Sequence, residues 1–194
     1  AARRRFAPRY LVNSLRNVPA IVGGRSLQDI AGFYAGRAAV IAAAGPSLDE
    51  AVPHLQGSAE GAVVVAVDTA LRPLLERGIR PTLVIGLDPG ARNARHFQAL
   101  PPLGDAWLVA ESALDPSAVA TFGERTLWFR AADHQPWPWL RTTGLDVPQV
   151  DVWGSVLTAA FQVAVLAGCD PIIMVGADLA YTGGQPYARS TTYE

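Results

Sequence analysis

The 194-residue sequence contains no lysine, and its 16 basic side chains are all arginine. This excludes the phosphate-binding lysine of a Walker-type loop, a Schiff-base lysine and a lysine general base. Cys169 is the single cysteine, which excludes an internal disulfide and a cysteine-cluster metal site. A single unpaired cysteine is typical of proteins in a reducing compartment, so we expect a cytoplasmic protein. Cys169 follows a predicted helix, where a small buried side chain is favoured over a reactive thiol.

Charged residues are scarce, at 17% of the chain, against about a quarter in an average globular protein. This deficit predicts an extensively buried sheet, or a surface that another part of the protein covers. The net charge of −1 gives no support to a nucleic-acid or membrane-surface role. No apolar run reaches transmembrane length, and no secretory segment follows the arginine-rich start. We therefore expect neither nucleic acid nor membrane as a partner.

The chain divides into a lead-in and one domain. Residues 1–37 predict a helical lead-in, in which Tyr10, Leu11, Leu15 and Val18 share one helical face and Pro19 ends the helix. Residues 38–194 predict a nucleotide-binding domain of ordinary size. Because the sequence starts at alanine and stops just after a loop-like stretch, we interpret it as a piece of a longer protein, cut at its C-terminal end.

From residue 38 onward, short apolar segments alternate with helical ones. The apolar segments are bounded by Gly, Pro or Asp and are apolar on both faces, as is typical of buried parallel strands. This alternation predicts an α/β fold, Rossmann-like and doubly wound, with a mostly parallel sheet. Residues 131–150 contain three prolines and predict neither helix nor strand. The predicted strands are 38–43, 62–67, 82–87, 106–110, 126–129 and 171–175, and the predicted helices are 47–55, 69–77, 91–99, 116–122 and 155–168.

Two helix starts carry residues suited to phosphate. After the first strand, Gly45 lets a ligand approach the main chain, Pro46 stiffens the turn, and Ser47 offers a hydroxyl beside the helix N–H groups. Gly154 and Ser155 open the late apolar helix in the same way. These residues predict a nucleotide site, and the alternative is a plain turn with a serine cap. The turn is not Gly-x-Gly-x-x-Gly, so NAD is not favoured.

Three acidic residues follow predicted strands. The second predicted strand is followed by Asp68 and Thr69, and the third by Asp88. The last predicted strand is followed by Asp178. Carboxylates at neighbouring strand ends meet at one crevice, where they bind ribose hydroxyls, hold a divalent cation or act as acid or base. We assign Asp88 and Asp178 to catalysis, and Asp68 and Thr69 to nucleotide binding. The alternative is that each aspartate only caps its helix.

The histidines predict no metal site, because His54, His96 and His134 follow no metal-ligand spacing. His54 and His96 fall within predicted helices and are expected on the surface, whereas His134 lies in the proline-rich stretch. Glu111 and Ser112 follow the fourth strand and give a weaker signal of the kind seen at the other acidic strand ends. We find no convincing pair of nucleophile and base.

Four segments together resemble one family in order and spacing: residues 38–48 (AAVIAAAGPSL), 63–75 (VVVAVDTALRPLL), 78–89 (GIRPTLVIGLDP) and 168–181 (GCDPIIMVGADLAY). This is the domain shared by motility-associated-factor flagellin glycosyltransferases and archaeal 6-hydroxymethyl-dihydropterin pyrophosphokinases of the MptE-like type. The resemblance covers roughly residues 38–194. More distantly, the region is similar to bacterial sialyltransferases that use CMP-sialic acid. Their loop Gly-Asn-Gly-Pro-Ser-Leu has Ala44 here in place of Asn, and Ala177 stands where many relatives carry Gln.

The resemblance implies a transferase that binds a nucleotide or nucleotide-sugar. The favoured reading is transfer of a nonulosonic acid from a CMP donor to a protein hydroxyl, such as a flagellin Ser or Thr, because the lead-in indicates a longer chain. The alternative is transfer of diphosphate from ATP to a pterin alcohol, with Mg²⁺ held by Asp68, Asp88 and Asp178. A third hypothesis is a non-catalytic nucleotide-binding scaffold.

Overall fold

A computed structural model describes residues 2–58, 61–180 and 184–193; Tyr181, the last residue of the fourth family-like segment, lies outside these ranges. One sheet of seven parallel strands forms the centre of the fold. The strands are β1 (Arg25–Ser26), β2 (Ala39–Ala42), β3 (Val63–Val67), β4 (Leu83–Gly86), β5 (Trp107–Glu111), β6 (Thr126–Phe129) and β7 (Ile172–Val175). The helices are α1 (Ala2–Val22), α2 (Leu48–Ser58), α3 (Asp68–Glu76), α4 (Pro116–Phe122), α5 (Trp137–Thr142) and α6 (Val156–Leu166), with 3₁₀ turns at Leu27–Ile30 and Asn93–Phe97.

Helices cover both faces of the sheet, which confirms the predicted doubly wound α/β class. Along β4 and β5, alternate side chains enter different cores: Val84 and Leu108 face one, Ile85 and Val109 the other. The first core is closed by residues of α1, α3, α4 and α5, and the second by residues of α2, α3 and α6. Burial on both faces explains why β2 to β6 are continuous apolar runs in the sequence, whereas β7, at the edge of the sheet, leaves Ile173 and Met174 about half exposed.

In the strand order β1-β6-β5-β4-β3-β2-β7, the strands that follow β2 in the chain lie on both sides of it. The chain builds outward from β2 to β6 and then returns to place β7 on the free side of β2, with Ala42 opposite Val175. A parallel sheet opens a crevice at such a switch point, beyond the carboxyl ends of the strands on either side of it. The topology therefore puts the ligand edge where β2, β3 and β7 end.

The lead-in helix α1 differs from its prediction. It runs to Val22 with Pro19 inside it, so the expected end at Pro19 was wrong. Proline removes one hydrogen bond, and here the loss falls near the end of the helix, where little helix remains to be broken. The predicted apolar face is partly exposed, while Asn13 and Asn17 are buried and donate amide N–H groups to carbonyls of the loops after β4 and β5, at 2.9–3.1 Å. The division between lead-in and domain at residue 37 stays a prediction.

Two other local predictions were wrong. Within residues 91–99 the chain forms a 3₁₀ turn at Asn93–Phe97 instead of an α-helix, after a tight turn in which the Asp88 carboxylate accepts the Gly90 N–H at 2.7 Å. Residues 131–150 contain α5, whose proline stands in the first turn, where the missing N–H has no helical partner to lose. Among the helices within the described ranges, none is both long enough and apolar enough to cross a membrane.

Candidate nucleotide site

A cavity of about 590 Å³ opens at the switch point of the sheet. Its volume is in the range of small-molecule sites. We call it the crevice. Loops after β2, β3 and β7 form its walls, together with the first turn of α6 and a stretch near the C-terminal end of the described chain. The polar residues and the aromatic residue that line it are Gly45, Asp68, Thr69, Ser155, Asp178 and Tyr187.

The loops after β2 and β7 interlock at the floor of the crevice. The Gly45 N–H donates to the Gly176 carbonyl at 2.8 Å, and the Ser47 N–H donates to the Asp178 carboxylate at 2.8 Å. A Cβ atom on Gly45 would overlap the Asp178 carboxylate and the Gly176 carbonyl. Gly176 has φ +68°, and a Cβ there would overlap the Ala43 carbonyl. Only glycine fits at either position.

Asp178 therefore occupies the N-terminus of α2, where the sequence predicted a phosphate. A carboxylate is stabilised there by the helix dipole and the free N–H groups. Neither Pro46 nor Ser47 lines the crevice; Ser47 borders a smaller cavity of about 470 Å³ with His54 and Glu50. The direct phosphate contact predicted for Pro46 and Ser47 stays a prediction.

Asp68 begins α3 at the wall of the crevice and is 4% exposed. Its Oδ1 atom accepts the Thr69 N–H at 2.7 Å and the Thr69 hydroxyl at 3.0 Å. Burial raises the pKa of Asp68 to about 6, against the lowering effect of these hydrogen bonds and with a smaller raising effect from Asp88. At pH 7 this carboxyl is mostly ionised, and its proton affinity suits acid–base chemistry near neutrality.

Asp88 and Gly154 do not line the crevice. The Asp88 side chain closes the turn to Gly90, and its charge makes a small raising contribution, behind that of burial, to the pKa values of Asp68 and Tyr193. Asp88 is therefore close enough to influence the site. Ser155 does line the crevice, and its hydroxyl caps α6 by accepting the Leu157 N–H at 3.1 Å. The sequence thus identified five residues that the fold brings together: Gly45, Asp68, Thr69, Ser155 and Asp178.

The sequence reasoning missed the segment of residues 184–193, which we call the strap. The Ala188 N–H donates to the carbonyl of Ala44 at 2.9 Å, which ties the strap to the end of β2. The Arg189 N–H donates to Asp49 at 3.2 Å, and Thr192 pairs with His96 Nδ1 at 2.7 Å. Nothing in the residue types of the strap predicts this position, because it depends on contacts with three residues distant in the chain.

His96 is buried, at 2% exposure, so its expected place on the surface was wrong. It packs edge-on against Tyr193, with ring centroids 5.2 Å apart. Burial, followed by the positive charges of Arg95 and Arg72, lowers the pKa of His96 to about 4. The imidazole is therefore neutral at pH 7. His54 is exposed, as expected.

Glu111 and Ser112 have a structural place behind the site. Glu111 is fully buried and accepts the Ser112 hydroxyl at 3.0 Å and the Ala113 N–H at 2.6 Å. Ser112 in turn accepts the indole N–H of Trp137 at 2.9 Å, which ties α5 to β5. Burial raises the pKa of Glu111 to about 7. Cys169 is buried, as expected, and burial raises the pKa of its thiol.

Within residues 2–58, 61–180 and 184–193, no three His, Cys, Asp or Glu side chains are arranged to hold a metal ion. Asp68, Asp88 and Asp178 thus do not form a three-carboxylate ligand set. A magnesium ion that arrives with nucleotide phosphates usually needs only one or two protein carboxylates. Asp68 and Asp178, both at the crevice wall, are the candidates for that lesser role.

Comparison with known proteins agrees with this geometry. No curated protein matches the chain. The solved structure of the MAf glycosyltransferase from Magnetospirillum magneticum AMB-1 matches 75% of this chain with a TM-score of 0.67 and 24% sequence identity, which shows a shared fold. The match spans only 23% of that longer protein. The family model described as 6-hydroxymethylpterin diphosphokinase MptE-like matches residues 12–184, most of the sequence, and the chain thus belongs to the MptE-like family.

Proposed function

We propose that this chain is the donor-binding domain of a glycosyltransferase that moves a nonulosonic acid from a CMP donor to a protein hydroxyl, such as a flagellin Ser or Thr. The observation that carries the proposal is the crevice at the β2/β7 switch point, bounded by the helix starts of α3 and α6. Helix N-termini attract phosphate. The fold shared with the MAf glycosyltransferase supports the same class of reaction, and the reducing compartment implied by Cys169 suits the cytoplasm.

The chemistry follows from the residues at the crevice. The acceptor hydroxyl attacks the anomeric carbon of the sugar and gives its proton to the Asp68 carboxylate, whose pKa of about 6 suits a base at neutral pH. The bond from the anomeric carbon to the phosphate oxygen breaks, and CMP leaves with the electron pair. The N–H groups that begin α6, next to Ser155, stabilise the phosphate charge as it develops.

In this scheme the other two carboxylates act through the site geometry. Asp178 holds the loop after β2 through the Ser47 N–H, and so fixes the floor on which the donor rests. Burial is the main cause of the raised pKa of Asp68, and the negative charge of Asp88 adds a smaller raising effect that helps keep that carboxyl available for proton transfer. Both are then positioning residues, although the sequence assigned them to catalysis.

The second candidate is an ATP-dependent pterin pyrophosphokinase, which is favoured by the name of the matching family, 6-hydroxymethylpterin diphosphokinase MptE-like. Calorimetric titration of the intact protein with CMP, CTP and ATP, with and without Mg²⁺, separates the two. We expect binding of cytidine nucleotides in preference to ATP. A clear preference for ATP with Mg²⁺, together with AMP release when the pterin alcohol is added, would refute the glycosyltransferase and support the pyrophosphokinase. Binding of nucleotide with turnover of neither kind would support a scaffold domain.

A further inference from the structure

The strap contributes an aromatic surface to the crevice that neither the family match nor the proposed reaction assigns. Tyr187 lines the crevice, and its ring stacks on Tyr193 with centroids 4.7 Å apart and planes 19° apart. Tyr193 contacts His96 edge-on on the far side. Despite these contacts, 39% of Tyr187 and 42% of Tyr193 are exposed. A large exposed aromatic surface at a cavity indicates recognition of a flat ligand group.

The stacked pair is held in place before any ligand binds. The backbone next to Tyr187 is fixed by the hydrogen bond from the Ala188 N–H to the Ala44 carbonyl in the loop after β2, and Ala188 is fully buried. The following residue is tied to Asp49, which in turn pairs with Arg77 at 2.6 Å. We call Tyr187 and Tyr193 the platform. Because the platform is already rigid, it loses little conformational entropy on binding, and most of the energy of its contact with a ligand is available as affinity.

The polarity of the crevice divides it into two parts. Thr69 and Ser155 stand where α3 and α6 begin, which suits phosphate, and the Asp68 carboxylate beside them suits a sugar hydroxyl. Pro186 and Tyr187 stand on the strap and offer apolar and aromatic surface. A nucleotide has the same two parts, a charged sugar-phosphate and a planar heterocycle.

We infer that Tyr187, backed by Tyr193, stacks on the planar base of the nucleotide that binds in the crevice. This inference rests on the proposed nucleotide-binding function and adds to it the part of the site that recognises the base. Stacking contacts the face of a flat ring and depends little on the hydrogen-bonding groups at its edge. The strap therefore contributes affinity for any nucleotide base, and other residues determine which base is preferred.

The experiment compares cytidine 5′-monophosphate with ribose 5-phosphate, which lacks the base, by calorimetry on the intact protein. We expect wild type to bind the nucleotide more tightly, and Tyr187→Ala to lose roughly 5- to 150-fold in nucleotide affinity, the range of base–aromatic stacking. Ribose 5-phosphate should bind Tyr187→Ala and wild type equally. Tyr187→Phe, which keeps the ring, should retain nucleotide binding. Phe33→Ala, which removes a more exposed ring in the lead-in, is the control and should change neither affinity.

Tyr187→Leu keeps apolar bulk without a flat ring, and it replaces the alanine variant if that variant fails to fold. A nucleotide affinity that is unchanged in both variants, with wild type still binding the nucleotide, overturns the platform and leaves the proposed function standing. Failure of wild type to bind either cytidine nucleotides or ATP overturns both. Equal binding of the nucleotide and ribose 5-phosphate by wild type also overturns the platform, because the base then contributes nothing.

Discussion

Replacement of Asp68 by asparagine is expected to stabilise the folded protein at neutral pH. Asp68 is 4% exposed, and burial raises its pKa from 3.8 to about 6. A raised pKa means that the folded state binds the proton more tightly than the unfolded state. The stability that this proton provides is fully present below about pH 3.8 and is lost as the pH rises through about 6. Ionised Asp68 therefore lowers the free energy of unfolding at pH 7.

The size of the effect follows from the shift. About two pKa units at about 1.4 kcal/mol each give roughly 3 kcal/mol of destabilisation at pH 7. Asparagine carries no charge and so removes this destabilisation. It keeps the local hydrogen bonds, because both bonds from Thr69 go to one oxygen, Oδ1, which an amide retains. The new amide N–H₂ group stands at the crevice wall, where water can satisfy it. We expect the gain to grow from near zero at pH 4 to about 3 kcal/mol at pH 7.

Urea unfolding between pH 4 and pH 8, followed by tryptophan fluorescence, measures this. Trp128 and Trp137 are almost fully buried and report the loss of the core. Asp115→Asn is the matched control, since Asp115 caps α4 through the Ser117 N–H at 3.0 Å, and asparagine caps equally well. That control should change stability by only a few tenths of a kcal/mol. If Asp68→Asn is no more stable than wild type at pH 7, or its gain does not depend on pH, the buried-carboxyl argument fails.

Three further predictions test the neighbouring residues. Asp178→Asn removes a charge from the crevice and keeps an acceptor for the α2 N-terminus, so nucleotide affinity by calorimetry should rise about 5-fold; a fall would show that the charge itself binds the ligand. Asp88→Asn keeps the turn to the next glycine, so circular dichroism should stay native, while the pH at which transfer by the intact enzyme is half-maximal should fall, because a charge that raises the Asp68 pKa is lost; an unchanged pH profile would refute the positioning role. Gly45→Ala should lower the free energy of unfolding by about 1–3 kcal/mol and weaken nucleotide binding, whereas Gly23→Ala, whose new Cβ would meet its nearest atom only at 3.8 Å, should do neither.

The sheet was predictable because burial on both faces leaves a plain trace in the sequence. β6 was predicted at its exact bounds, residues 126–129, and β3 to within one residue. β1 was missed because Arg25 and Ser26 are polar and join the sheet only through β6, about 100 residues away. The 3₁₀ turn at Asn93–Phe97 was taken for an α-helix because its residues favour helix and the restraint comes from the turn before it.

The candidate site was predictable in part, for a related reason. Residues that follow strands must reach the same sheet edge, so Gly45, Asp68 and Asp178 could be grouped without coordinates. Their individual roles depend on distant partners. The bond from Ser47 to Asp178 spans 131 positions in the chain and has no local signal. The burial of His96 likewise depends on the strap, which sequence periodicity does not place.

The position of β7 has a consequence for how the protein is made. β2 is buried along its whole length, yet one of its two neighbours, β7, is synthesised about 130 residues later. A nascent chain that has folded β2 to β6 still exposes the apolar β2 edge, with unpaired backbone groups that invite misassociation. Closing so long a loop is slow, so this exposed stage should persist until β7 docks. The crevice does not exist before that step, because the loop after β7 forms part of its floor. The first binding of ligand by a growing chain would therefore report that β7 has joined the sheet.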